Sequence, residues 1–191
     1  VFMTIIASHT VRQRMGHRVK GQFRLGFFSI LLSVVINAGY MLMLVLPQDP
    51  WFRSDKAIPL VGMLLGNSLT GITLGLDKFL NDIKNRSSSI EADLAIGAQS
   101  YESVREIFEQ SLKIGITPII NTMMVVGLVS IPGMMTGKIL GGSEAMDAAF
   151  YQIMIIMMIL GCTFFAVLVA LYLLYRKTMG EQRRLVLEVI E

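Results

Sequence analysis

The sequence is short of charge. Only 16% of its 191 residues are Asp, Glu, Lys or Arg, against roughly a quarter in an ordinary soluble domain. A disordered tail also needs charge and little apolar content, and here 53% of residues are hydrophobic. The one cysteine, Cys162, excludes an intrachain disulfide scaffold and a cysteine metal cage. No phosphate-binding loop is present. Gly133 to Lys138 imitates one, but only three residues separate its glycines and Ile139 follows the lysine where Ser or Thr is required. The longest apolar runs hold no His, Asp or Glu, which leaves them without a proton relay or a catalytic carboxylate pair.

Long apolar runs are present. A helix needs roughly 20 apolar residues to cross the hydrocarbon core, and four segments reach that length: 25–46, 57–76, 116–141 and 148–175. A fifth, 1–8, reads as the tail of a span, so we expect one or more spans before Val1 and an N-terminally truncated single transmembrane domain over 1–191. The net charge of +3 reads as loop bases that set orientation rather than as a nucleic-acid surface. Arg12, Arg14, Arg18, Lys20 and Arg24 occupy the first loop without an acid, and Arg176, Lys177, Arg183 and Arg184 follow the last run. The positive-inside rule places both, and the connection 77–115, in the cytoplasm. Trp51, Phe52, Tyr172 and Tyr175 are expected at the interfaces.

The connection 77–115 carries seven acids and five bases, too many for a span and too patterned for a linker. Ser89 is expected to cap one long amphipathic helix from Ile90 to Ile114, with Tyr101, Val104, Phe108, Leu112 and Gly115 on one face. Its polar face is acidic, which fits a protein partner better than anionic lipid. Within the apolar runs, Gly62/Gly66, Gly71/Gly75 and Gly137/Gly141 are spaced for close helix contacts. Pro132-Gly133 breaks helical hydrogen bonding. The amides and hydroxyls of Asn67, Asn121 and Thr136, with thioethers such as Met134 and Met135, are the polar and soft groups a solute could meet.

Three stretches resemble known permeases. Glu91-Ala92-Asp93-Leu94-Ala95-Ile96-Gly97-Ala98 is similar to the cytoplasmic loop of ATP-binding-cassette permeases, where a short helix and turn enter a groove of the ATPase subunit. Gly66-Asn67-Ser68-Leu69-Thr70-Gly71 and the block Ile119 to Gly142, centred on Pro132-Gly133, resemble the FetB family of iron-export permeases, whose plant relatives are implicated in aluminium tolerance. The resemblance implies an all-α, polytopic transmembrane helix bundle with a long cytoplasmic coupling helix. It implies export of iron or a related metal across the bacterial inner membrane; with so few spans per chain a homodimer is expected, its C-terminus cytoplasmic by the Lys/Arg distribution. The chain itself would be no enzyme and hold no cofactor; a separate ATPase would bind ATP and Mg.

On this expectation Glu91, Gly97, Ala98, Tyr101 and Phe108 form the ATPase-coupling surface. Asn67, Asn121, Met134, Met135 and Thr136 line the pathway, Pro132 and Gly133 form a hinge, and metal ligands are unassigned. The competing expectations are a permease for a non-metal solute such as a nucleotide sugar, and a membrane scaffold that transports nothing.

Overall fold

The computed structural model describes residues 31–32, 54–126 and 132–179. The segment 1–8, nearly all of 25–46, the basic first loop, and Trp51 and Phe52 lie outside them. The described regular elements are α-helices in chain order: α1 (Ser54–Asn85), α2 (Ser87–Ala95), α3 (Ser100–Val125), α4 (Gly133–Leu140) and α5 (Ala145–Thr178). Two of these, the Leu60–Asn85 part of α1 and the whole of α5, are long and apolar enough to cross a bilayer.

The long helices α1, α3 and α5 pack together around glycine. In lipid, association of helices depends on van der Waals fit, because tails are as apolar as side chains. The fit here is a knob in a hole. A Cβ on Gly115 would stand 2.7 Å from Val167 Cγ1 and 2.9 Å from the Gly71 carbonyl oxygen. One on Gly71 would stand 2.7 Å from Thr163 Cγ2 and 2.8 Å from the Gly115 oxygen. Val167 of α5 thus fills a hollow floored by Gly71 and Gly75 of α1 and Gly115 of α3. Of the three glycine pairs, Gly71/Gly75 joins helices of this chain. At Gly62, Gly66 and Gly137, by contrast, a Cβ would meet nothing within 4 Å.

These contacts fix direction and register. Gly71 meets Gly115, Gly75 meets Ser111, and the Phe79 ring stands edge-on to Phe108 at 6.4 Å, so α1 and α3 run antiparallel. Ser68 meets Cys162, the oxygen 3.6 Å from the sulfur, and Gly75 meets Val167, so α1 and α5 run parallel. The Asn85, Ser100 and Thr178 ends therefore share one end of the bundle. Phe79, Leu80, Ile83, Ile90, Val104, Leu171 and Leu174 form the core there, and Leu60, Leu64, Ile119, Ile155 and Ile159 form a second cluster towards the other end. The outward face of α5 stays apolar, with Phe150, Ile153, Met157 and Phe165 exposed, as expected of a helix solvated by lipid.

The apolar run 148–175 lies inside α5, which extends three residues beyond it at each end; two other segments fold differently from expectation. The segment 57–76 does not end at Asp77, since α1 continues to Asn85. Charge lowers the hydropathy, but Phe79, Leu80 and Ile83 keep the helical apolar face running and are fully buried. Asp82 therefore lies on the same helix as the apolar run, buried, one oxygen accepting from Lys78 Nζ at 2.8 Å and the other without a donor among the described residues. The single helix from Ile90 to Ile114 is two helices. Ser89 lies inside α2, Gly97 (φ 94°) stops that helix, and α3 restarts at Ser100.

The run 116–141 is interrupted at Pro132-Gly133, as its sequence predicts. Its first ten residues belong to α3, which runs through Pro118 without stopping. Pro132, extended at φ −63° and ψ 142°, precedes the separate eight-residue α4. Lys138 of α4 sets its ammonium 3.8 Å from the Tyr151 ring centroid.

Gly115→Ala is expected to lower stability in detergent by about 1–3 kcal/mol, because the methyl meets backbone and cannot be accommodated by a rotamer change. Gly62→Ala should leave the melting temperature unchanged or slightly raised; equal melting of the two variants would contradict the crossing. Lys78→Met, which strips Asp82 of its charge partner, should cost about 1–3 kcal/mol for a pair that is only partly desolvated. Adding Asp82→Leu should recover most of that loss. A double-mutant cycle with no coupling energy would show the pair to be without effect.

Candidate functional site

The expected coupling residues gather at the shared end of α1, α3 and α5. Helix α2 is seated there by Ile90, buried, and Leu94, half-buried, both against the main core. Its C-terminus closes with the Gly97 amide donating to the Leu94 carbonyl and the Ala98 amide to the Asp93 carbonyl. This pair of bonds requires a left-handed residue after the cap, which glycine supplies without a steric cost. Gln99 then starts α3, its amide donating to Glu102 Oε2 at 3.1 Å, the return half of a capping box. Arg86, between α1 and α2, donates to Glu106 of α3 at 3.1 Å. Gln110 donates to the other oxygen of Glu106. The excursion 87–99 is thus held at both of its ends.

Glu91, exposed, lies on α2, while Gly97, exposed, and Ala98, half-buried, lie on the turn that ends it. Tyr101 follows in the first turn of α3, 49% exposed, its ring edge-on to Tyr175 of α5 at 6.2 Å. That contact ties the turn to the end of the last helix. Phe108 is different: it packs inward against Phe79 and the core, and so supports the surface from within. The face expected through Tyr101, Val104, Phe108, Leu112 and Gly115 is occupied by α1 and α5, with Val104, Ile107, Ser111 and Gly115 its buried centre.

The expected pathway residues are less closely grouped. Met134 of α4 packs on the cluster of Leu60, Leu64, Ile119 and Ile155, and Met135 is half-buried. Asn67 is half-buried on α1 and donates to the Met63 carbonyl at 2.9 Å. Thr136 is exposed and donates to the Pro132 carbonyl at 3.3 Å, while Asn121 is exposed near the end of α3. Among the described residues no hydrogen bond joins Asn67, Asn121 and Thr136 to one another, and no three His, Cys, Asp or Glu side chains converge.

Two residues gain their importance only from the structure. Asp82 is one, because falling hydropathy at Asp77 hides the helix that continues through it. Ile96 is the other, because in sequence it is one more apolar residue of an amphipathic helix. The helix stops at Gly97 (φ 94°) and leaves Ile96 at an apex, 85% exposed.

Comparison with known proteins follows the same lines. The family model described as Uncharacterised protein family (UPF0014) matches residues 1–179. The chain is 31% identical to the UPF0014 membrane protein slr1647 of Synechocystis sp. over 96% of its own length and 71% of that protein's. It is 32% identical to Protein ALUMINUM SENSITIVE 3 of Arabidopsis thaliana over 91% of this chain and 62% of that one. Identity to the probable iron export permease protein FetB of Escherichia coli is 30%, over 84% of this chain and 62% of that one. The chain thus spans less than two thirds of the plant and enterobacterial relatives. No solved structure matches it. The family match over nearly the whole chain and the long apolar helices agree: this chain belongs to the UPF0014 family of membrane proteins.

Proposed function

We propose that the chain is the permease subunit of an ATP-driven transporter that exports iron or a related metal across a bacterial inner membrane. The observation that carries this is the turn at Gly97: a short helix held on the bundle end by Ile90 and Leu94, tied by Arg86 to Glu106, and presenting Glu91 and Gly97 outward. The family membership and the iron export permease among the relatives support the choice of cargo. In this reading α1, α3 and α5 belong to a polytopic bundle, two copies form a homodimer, and the turn and the C-terminus face the cytoplasm. A separate ATPase holds ATP and Mg and docks at Glu91, Gly97, Ala98 and Tyr101.

The mechanism follows from how the turn is connected. Helix α3 begins three residues after Gly97 and continues unbroken for 26 residues to Val125, so it acts as a lever from the docking end to the other end. Closure of the ATPases displaces α2, and the displacement travels along α3 past the Gly115 crossing. The next described element after α3 is α4, which starts at Gly133 behind Pro132. We assign the hinge to this point, because α4 packs on α5 as a separate piece. Asn67, Asn121 and Thr136 offer amide and hydroxyl oxygens and Met134 and Met135 soft sulfur, a set suited to weak, transient contact with a moving cation rather than to tight binding.

Inverted vesicles containing the chain and its cognate ATPase are expected to take up radioactive Fe(II) in an ATP-dependent manner. Glu91→Arg should reduce uptake by at least about tenfold, the effect of losing roughly 1.4 kcal/mol of docking free energy, with the protein still folded. Uptake of another solute but not iron would replace the cargo and keep the transporter. Full uptake by Glu91→Arg would contradict the coupling surface, and failure to bind any ATPase would support a scaffold instead.

A further inference from the structure

We infer that Ile96 is the anchor through which α2 engages its partner, and that the partner surface is a groove with an apolar socket beside a basic group. The inference rests on the reading of α2 as the docking element for the ATPase subunit.

Helix α2 has two unlike faces. Ile90 and Leu94 point to the core. Outward lie Ser88, Glu91, Ala92, Ala95 and Ile96, all exposed and spaced at 0, 3, 4, 7 and 8 residues, one side of a helix. Three of the five are Ser or Ala, so a partner can approach the backbone closely along this side. The side then ends on a large aliphatic group. Ile96 is 85% exposed, more than any other large apolar side chain among the described residues, and nothing lies within 4 Å of a Cβ position on the following Gly97. Exposed apolar residues are common singly. This one sits at the apex of a helix whose termination is set by a left-handed glycine and whose opposite side is fixed to the core, so it is held outward rather than left loose.

Charge selects the kind of partner. Two bases at this end of the bundle are engaged, Arg86 with Glu106 and Arg105 with Glu109. Glu91 and Asp93 on α2 form no ion pair among the described residues. The outward side is therefore acidic with an apolar tip. An anionic lipid surface would repel it, since helices that lie on membranes carry Lys and Arg on the polar face. A protein groove with a basic rim and an apolar floor complements it, and central apolar anchors ringed by polar contacts carry most of the free energy of such interfaces.

The test is a titration of the purified chain in nanodiscs with its cognate ATPase subunit. Ile96→Ser is expected to weaken Kd about 30-fold, the change for an anchor contributing roughly 2 kcal/mol, with an unchanged melting temperature because the side chain is exposed. Ile96→Met should stay within about threefold of the parent. Glu91→Gln should weaken binding and flatten its salt dependence. Leu140→Ser, altering a similarly exposed residue (82%) at the C-terminus of α4, should change nothing. Parent-like affinity of Ile96→Ser would overturn the anchor and leave the docking reading intact. If the parent chain itself does not bind the ATPase, both fall together.

Discussion

The close approach of three helices at Gly71, Gly75 and Gly115 is the constraint from which the remaining geometry follows. With hydrogen atoms in place of side chains, the Gly71 and Gly115 backbones come near enough for each carbonyl oxygen to occupy the space of the other's missing Cβ. Val167 closes the hollow from α5. Dispersion falls off steeply with distance, so contact this close stabilises a bundle that gains nothing from hydrophobic association inside lipid. It also sets the registers that bring Phe79 to Phe108 and Ser68 to Cys162. Once those registers exist, the ends of α1 and α5 and the start of α3 must share a side, and the excursion through α2 has only one end of the bundle on which to sit.

Each end of the bundle then solves a backbone problem. A helix that stops leaves carbonyls without partners, and both short helices answer with a left-handed glycine: Gly97 after α2 and Gly142 after α4. Amides after the cap return to Leu94 and Asp93 in one case, and to Ile139 and Lys138 in the other. Pro118 poses the converse problem inside α3, where its missing amide cannot donate to the Ile114 carbonyl. The helix carries on regardless, with Thr117 and Thr122 hydroxyls bonded one turn back to Lys113 and Pro118. Continuity through Pro118 keeps α3 a single helix from Ser100 to Val125.

Much of this is legible in the sequence, and the exceptions have physical causes. The limits of α5 follow from a long run bounded by Asp147 and Arg176, where hydropathy and helix end together. The limits of α1 do not, because Asp77, Lys78 and Asp82 change the hydropathy without interrupting the helical spacing of Phe79, Leu80 and Ile83. An i,i+4 pairing of Lys78 with Asp82 makes that charge tolerable. The turn residues Glu91, Gly97 and Ala98 are marked by a motif. Their exposure at an apex depends on a backbone angle at Gly97 that glycine permits but does not dictate. Phe108, expected at the surface, lies inside it, since a residue on an apolar face can equally contact a neighbour helix or a partner. The separate start of α4 is legible at Pro132-Gly133, since proline lacks the amide that a continuing helix would need.

On the proposed function, the α2 turn and the α4–α5 turn lie on opposite sides of a membrane, with the Val167 crossing between them. Replacing Cys162 with alanine leaves a chain without thiols, into which Ala95→Cys or Ser143→Cys places one reporter at either end. Reaction with a membrane-impermeant maleimide in right-side-out and inverted vesicles then reads the sidedness directly. The expected result is labelling of Ala95→Cys from the cytoplasmic face alone and of Ser143→Cys from the opposite face alone. Labelling of both positions from the same face would contradict the arrangement.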